Sequence, residues 1–176
     1  MRKLLMKLTI VQLVLGILFV APLFAATTAT IEANGTGTVD TNCLGTLTSG
    51  CTVSSAGSMT GTPILTGQYV LRLDIGSPNS LNGYPAGATG GTQQGVCLPA
   101  SFYGTLTSGG DAIYFNHVGN ACEEAQVGSP YLYHGTFRIT GGTGRFAAAT
   151  GGGIVVGTFT RTPAESFIYL RGSITY

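Results

Sequence analysis

The feature that most constrains the fold of this chain is a period-two alternation of apolar and polar residues that recurs in many short segments. From Tyr69 to Ile75, for example, every second residue is apolar, and the residues between them include Arg72 and Asp74. Such alternation is typical of an antiparallel strand with one buried and one solvated face. No window after residue 26 shows helical periodicity of useful length. The pattern therefore predicts an all-β protein.

The predicted strands are evenly spaced along the chain. Strong alternation marks the segments 68–75, 112–118, 131–139, 154–161 and 167–176. Weaker segments lie near 28–34, 44–48 and 101–107. Clusters of Gly, Ser, Asn and Pro separate these runs, and the longest gap, 76–96, is predicted to be an exposed loop. About eight strands without crossover helices indicate a barrel or a sandwich, and we favour a single antiparallel β-barrel.

The first 25 residues are predicted to be a signal peptide, which leaves residues 26–176 as the β-barrel domain. Three basic residues precede an apolar run at 8–21, and the small pair Ala25 and Ala26 follows, as a cleavage site requires. We expect cleavage after Ala25 and a secreted or periplasmic protein with no lipid-bearing cysteine at the cut. The alternative is an uncleaved membrane anchor, since the apolar stretch is nearly long enough to span a bilayer.

Charge and glycine spacing exclude two classes of partner. After residue 25 the chain holds five arginines, no lysine and seven acidic residues, so it lacks a basic surface for a phosphate backbone and we expect no nucleic-acid partner.

Gly142, Gly144 and Ala147 match a dinucleotide fingerprint by letter only. That fingerprint needs a helix after a strand, and Gly151–Gly153 would stop one. We expect no nucleotide and no other cofactor.

The four cysteines are predicted to form two disulfides. Cys43, Cys51, Cys97 and Cys122 all lie in the exported part, where disulfides persist. Their spacings of 8, 46 and 25 residues resemble no zinc cluster, so we expect no metal site. Of the three pairings that four cysteines allow, we favour Cys43–Cys51 with Cys97–Cys122. The second pair flanks two strands that a turn at residues 109–110 would fold into a hairpin.

The most distinctive motif is Thr-Gly-Gly-Thr-Gly-Arg-Phe at residues 140–146, between two predicted strands. We expect a tight connection with Phe146 beneath the end of the barrel. The motif resembles that of plant dirigent proteins and, more loosely, allene oxide cyclases. It is most similar to uncharacterised bacterial exported proteins, whose Val-Cys-x-Pro-Ala segment and second cysteine match residues 96–100 and Cys122.

This resemblance covers roughly residues 95–160 and implies an eight-stranded antiparallel barrel of the allene oxide cyclase type. It does not transfer an activity. Dirigent and cyclase functions depend on acidic and polar residues that line the lumen, and no matching set is evident in this sequence.

If the sheet closes, alternation directs one set of side chains into the barrel, and these are the candidate ligand-binding residues: Tyr69, Phe115, His117, Tyr131, Tyr133 and Phe137. His117 would then share the inner face of its strand with the carboxylate of Asp111. The alternative is that these side chains interdigitate as ordinary core.

His134 and the pair Glu123–Glu124 are predicted to be solvated, and no serine lies in a nucleophile elbow, so we assign no catalytic residue.

Three functions fit these features. We expect an exported, non-enzymatic barrel that binds a small apolar or aromatic ligand, since an eight-stranded lumen holds one such molecule. The first alternative is a dirigent- or cyclase-like protein that guides a reactive intermediate, which clustered polar residues inside the barrel would favour. The second is a structural or adhesive envelope protein, which a lumen filled by aromatic side chains would favour.

Overall fold

The computed structural model describes residues 26–43, 47–77, 96–123 and 130–176. They form a closed, up-and-down antiparallel barrel in which each strand pairs with the next and β8 pairs with β1. The strands are β1 (Thr28–Thr41), β2 (Thr52–Thr62), β3 (Thr66–Ile75), β4 (Val96–Ser108), β5 (Asp111–Glu123), β6 (Tyr131–Thr143), β7 (Thr150–Phe159) and β8 (Glu165–Thr175). The predicted all-β barrel is therefore confirmed.

Two sequence-based predictions fall outside this description. The signal peptide at residues 1–25 lies outside the described residues, and so do residues 78–95 of the predicted long loop. In the described part of the chain, no helix has the length and apolar character to cross a membrane.

Seven of the eight predicted segments overlap strands, but the described part of the predicted strand at 44–48 is not a strand. Leu47 and Thr48 lie in the connection that precedes β2, and residues 44–46 are outside the described residues. β2 instead covers Thr52–Thr62. Its inward positions include Ser55 and Gly57, so its hydrophobic alternation is too weak to mark a strand.

Side chains alternate between the inside and the outside of the barrel along the strands. On β6, Tyr131, Tyr133 and Phe137 are buried, whereas His134 between them is exposed, as predicted. All six candidate ligand residues point inward, with exposed fractions between 1% and 4%. The predicted inner faces are therefore confirmed.

Glycines on neighbouring strands provide the space that these rings occupy. A Cβ atom on Gly35 of β1 would come within 2.8 Å of the Tyr69 ring, and one on Gly104 of β4 would overlap the ring of Phe115. Gly104 lies directly opposite Phe115 in the register of β4 and β5. The interior of an eight-stranded barrel is only wide enough for side chains to fill it. A large ring on one strand therefore requires a residue without a side chain on another.

One end of the barrel, called here the short-loop end, contains the β2–β3, β4–β5 and β6–β7 connections. The predicted motif covers the end of β6 and a 3₁₀-helical turn, Gly144–Phe146, in the last of these connections. Phe146 is fully buried, with its ring centroid 4.8 Å from that of Tyr176. The Arg145 guanidinium pairs with Asp111 at 3.0 Å and donates a hydrogen bond to the Pro63 carbonyl oxygen at 3.0 Å. The motif thus ties the three short connections together, which confirms its predicted structural role.

The opposite end, the long-loop end, contains the β1–β2, β3–β4, β5–β6 and β7–β8 connections and both disulfides. Cys43 is bonded to Cys51 across the β1–β2 connection, and Cys97 is bonded to Cys122 between directly opposite residues of β4 and β5. The predicted pairing is confirmed. Two disulfides indicate an oxidising environment, either extracellular or periplasmic.

The ring-over-glycine packing predicts the effect of adding one methyl group. Gly104→Ala is expected to lower the free energy of unfolding by roughly 1–3 kcal/mol, because the new Cβ atom must displace Phe115 from a filled interior. Urea unfolding measures this loss. The double variant Gly104→Ala/Phe115→Leu should recover part of it, and purely additive losses would contradict the proposed contact.

Candidate functional site

Four of the six candidate residues form one packed cluster in the middle of the barrel. The ring centroids of Phe115 and Phe137 are 5.5 Å apart, and those of His117 and Tyr133 are 5.3 Å apart. Phe115 and His117 join the two pairs with centroids 6.2 Å apart. Edge-to-face and tilted contacts at these separations are stabilising. This part of the interior is core, as the alternative interpretation of the sequence stated.

Both ring nitrogens of His117 are engaged. Nε2 lies 2.8 Å from the carbonyl oxygen of Arg72, and Nδ1 lies 2.8 Å from the hydroxyl of Tyr133. A carbonyl oxygen only accepts, so Nε2 carries the proton and donates it, while Nδ1 of the neutral ring accepts from the Tyr133 hydroxyl. Burial lowers the pKa of His117 from 6.5 to about 4, and the backbone hydrogen bonds oppose this shift. The imidazole is therefore neutral at pH 7.

The expectation that His117 lies beside the Asp111 carboxylate is wrong. Asp111 begins β5 at the short-loop end, where its carboxylate pairs with Arg145 and accepts a hydrogen bond from the Arg145 backbone N–H. His117 lies six residues further along β5, deep in the interior. Alternation places two inward-facing residues of a strand on the same face of the sheet, but residues six positions apart on that face do not touch.

The lowered pKa of His117 predicts an acid-dependent loss of stability. The unfolded chain takes up a proton near pH 6.5, whereas the folded chain does so only near pH 4. The free energy of unfolding therefore falls as the pH drops from about 6.5 to about 4, by at most about 3 kcal/mol. Urea unfolding at pH 7, 5.5 and 4 measures the slope.

Matched variants isolate the contribution of this one residue. His117→Gln removes the titrating ring and should flatten the pH dependence across this interval, whereas His134→Gln changes an exposed histidine and should leave it as in the wild type. Equal slopes in all three proteins would contradict the assignment.

Tyr69 belongs to a second group, a triangle of three buried hydroxyls from β2, β3 and β8. Its oxygen is 2.8 Å from Ser55 Oγ and 2.7 Å from Ser166 Oγ, and the two serine oxygens are 2.6 Å apart. Three hydroxyls in a ring can each donate once and accept once, so the triangle satisfies itself. The Tyr69 side chain reaches across the barrel wall to β8 because Gly35 leaves room for its ring.

Tyr131 belongs to a third group, which lies at the long-loop end and includes the side chains of Glu123 and Arg161. Glu123 is the last residue of β5 and lies opposite Tyr131 in the register. The Arg161 guanidinium lies over the Tyr131 ring, 4.3 Å from its centroid, and is 3.2 Å from Glu123 Oε1. Glu123 Oε2 accepts a hydrogen bond from the Leu47 backbone N–H at 2.8 Å. We call these three side chains the end cluster.

The end cluster combines a neutralised charge pair with an unsatisfied hydroxyl. The side chain of Glu123 is 4% exposed and that of Arg161 is 17% exposed, so the pair is largely removed from water. The Tyr131 hydroxyl is buried and has no hydrogen-bond partner among the described residues. A buried polar group without a partner is rare in proteins and is a marker for a bound molecule or water. The end cluster is therefore the candidate functional site.

The sequence analysis missed two members of this cluster and was wrong about Glu123, which is buried instead of solvated. The available signal was the alternation of β5, because positions 113, 115 and 117 share an inner face with Glu123. We ended that strand at residue 118, where the large apolar residues stop. Likewise, Arg161 lies two residues after the inward-facing Phe159, so the same alternation would have predicted an inward-facing arginine. Pairing with β6 extends β5 beyond its hydrophobic part.

The end cluster predicts a large difference between two ion pairs of this protein. Replacing Glu123 by Gln leaves the Arg161 charge buried without its counterion and should cost about 3–5 kcal/mol of unfolding free energy. The exposed pair of Arg72 and Asp74 is the control, since its partners are 40% and 37% exposed. Asp74→Asn should cost less than about 1 kcal/mol. Similar losses from urea unfolding of both variants would contradict the buried pair.

Grooves on the outside of the barrel contain none of the end cluster. One of about 770 Å³ at the short-loop end is lined by glycine backbone and polar side chains, among them Thr66, Gln68 and Thr107. Another of about 660 Å³ lies along β1, β7 and β8 and is lined by threonines, Glu165, Ser166 and Phe167. Within the described ranges, no three His, Cys, Asp or Glu side chains come close enough together to hold a metal ion.

Comparison with known proteins adds no assignment. No protein-family model, curated protein or solved structure matches this chain.

Proposed function

We propose that this chain is an exported, non-enzymatic β-barrel protein that binds a small apolar or aromatic ligand at its long-loop end. The observation that carries the proposal is the Tyr131 hydroxyl, which is buried and has no hydrogen-bond partner among the described residues. Ligand sites combine apolar walls with a few polar groups that fix orientation. The end cluster supplies the polar groups of such a site, and the buried Phe159, opposite Tyr131 in the register of β6 and β7, supplies apolar surface beside it.

The packing of the interior supports this location over the middle of the barrel. The rings of Phe115, Phe137, His117 and Tyr133 contact one another, and the hydroxyl of Tyr133 is bonded to His117. At the long-loop end, by contrast, Tyr131 offers a hydroxyl that no described side chain uses.

Export and the barrel type are parts of the same proposal. The two disulfides support passage through an oxidising compartment, and the charged start, apolar run and small residues of 1–25 support a signal peptide. The sequential eight-stranded barrel and the position of the 140–146 motif, at the end of β6 and the start of the β6–β7 connection, support kinship with the allene oxide cyclase and dirigent type of barrel.

A second candidate function, a dirigent- or cyclase-like protein that guides a reactive intermediate, is favoured by one specific observation. The end cluster places a carboxylate, a guanidinium and a phenol together inside the barrel, and such groups could hold and orient an intermediate. The two functions differ in a measurable way. A guiding protein would change the distribution of products formed from its intermediate, whereas a binding protein would retain an unchanged ligand.

Native mass spectrometry of the protein purified from its host tests the main proposal. We expect the mass of residues 26–176 with two disulfides, plus a small-molecule adduct. Tyr131→Phe should lower the occupancy of the adduct, because the hydroxyl that binds it is gone. His134→Ala, on the outer face of the same strand, should leave the occupancy unchanged. A folded wild-type protein that carries no adduct and yields no small molecule on extraction would contradict the proposal.

A further inference from the structure

We infer that the ligand of the end cluster is an uncharged, mainly apolar molecule with one hydrogen-bonding oxygen, such as a ketone, ester, ether or alcohol, and not a carboxylate or an amine. This inference rests on the proposed function and specifies its ligand. Its three steps concern the charge of the end cluster, the hydrogen bond that Tyr131 offers, and the surface around both.

The charge of the site argues for an uncharged ligand. Glu123 is the one fully buried carboxylate among the described residues, and its partner Arg161 neutralises it at 3.2 Å. His117, the one buried histidine among the described residues, is neutral and is engaged through both ring nitrogens. An anion or a cation would bring an uncompensated charge into a site whose own charges are already paired, and burying such a charge is strongly unfavourable. An uncharged molecule avoids that penalty.

The Tyr131 hydroxyl argues for one oxygen on the ligand. A phenol donates one hydrogen bond and accepts others, and this one is buried without a partner among the described residues. Arg161 covers one face of its ring at 4.3 Å, so the ring is held in place while its hydroxyl stays unbonded. A carbonyl, ether or hydroxyl oxygen would satisfy the hydroxyl, whereas a pure hydrocarbon would leave it unpaired at a cost.

The surroundings argue for an apolar body on the ligand. Phe159 lies opposite Tyr131 in the register of β6 and β7 and is 1% exposed. Leu47, whose backbone N–H is bonded to Glu123, is 2% exposed. Apolar and aromatic side chains therefore lie next to the one unsatisfied hydroxyl, and a flat or branched apolar skeleton matches them.

A pair of fluorescent probes with one ring system tests the inference. The neutral ketone 6-propionyl-2-(dimethylamino)naphthalene and the carboxylate 6-(dimethylamino)-2-naphthoate differ mainly in charge, and the chain contains no tryptophan to interfere. At pH 7 we expect the disulfide-bonded protein to bind the ketone at least about tenfold more tightly than the carboxylate. Tyr131→Phe should weaken ketone binding by about tenfold, the usual size of one lost hydrogen bond in a desolvated site.

Stability and a matched tyrosine variant keep this result interpretable. Because the Tyr131 hydroxyl has no partner among the described residues, Tyr131→Phe should not lower the urea midpoint. Tyr169→Phe removes the hydroxyl of a β8 tyrosine that lies outside the candidate set and is bonded to Glu32 at an exposed position. It should leave the affinity for the ketone unchanged.

The possible failures are distinguishable. If the wild type binds both probes equally well or prefers the carboxylate, the inference about the ligand is wrong and the proposed binding function stands. If Tyr131→Phe binds the ketone as tightly as the wild type, the ligand does not use the Tyr131 hydroxyl, and both the inference and the proposed binding at the long-loop end fail. If the folded wild type binds neither probe, both the inference and the proposed binding function fail.

Discussion

The narrow interior of a closed eight-stranded barrel is the constraint on which the rest of this structure depends. Such a barrel is only wide enough for side chains to fill, so each large ring needs an absent side chain nearby. Gly104 provides this space for Phe115, and Gly35 provides it for Tyr69. The same close packing turns most of the predicted ligand residues into core.

Closure also removes water from every polar group that points inward, and each such group must find a partner. The Tyr69 hydroxyl does so with two serines, and His117 does so with Tyr133 and a backbone carbonyl. Glu123 does so through Oε2, which accepts from the Leu47 backbone N–H, whereas Oε1 is ion-paired with Arg161 at 3.2 Å and has no hydrogen bond among the described residues. Against this background the unbonded hydroxyl of Tyr131 stands out, and for that reason the functional proposals concentrate at the long-loop end.

The two ends of the barrel are stabilised by different chemistry. At the short-loop end, Arg145 and Phe146 of the 140–146 motif join three short connections through an ion pair, a hydrogen bond to backbone and ring packing. At the long-loop end, two disulfides and the buried pair of Glu123 and Arg161 hold strand ends together. The most distinctive motif of the sequence is thus structural. The candidate site lies at the other end, where the sequence offered no motif.

The sequence by itself determined the all-β fold class and the inner faces of the strongly alternating strands, and it favoured the disulfide pairing that the structure has. These follow from local rules, because successive side chains of a strand must point to opposite sides and a hairpin brings its two ends together. Only the tertiary structure decided where β2 runs and that Glu123 meets Arg161 over Tyr131. Strand pairing extends a strand past its apolar residues, and the register of distant strands determines which inward side chains touch. Neither effect leaves a local trace in the hydrophobic pattern.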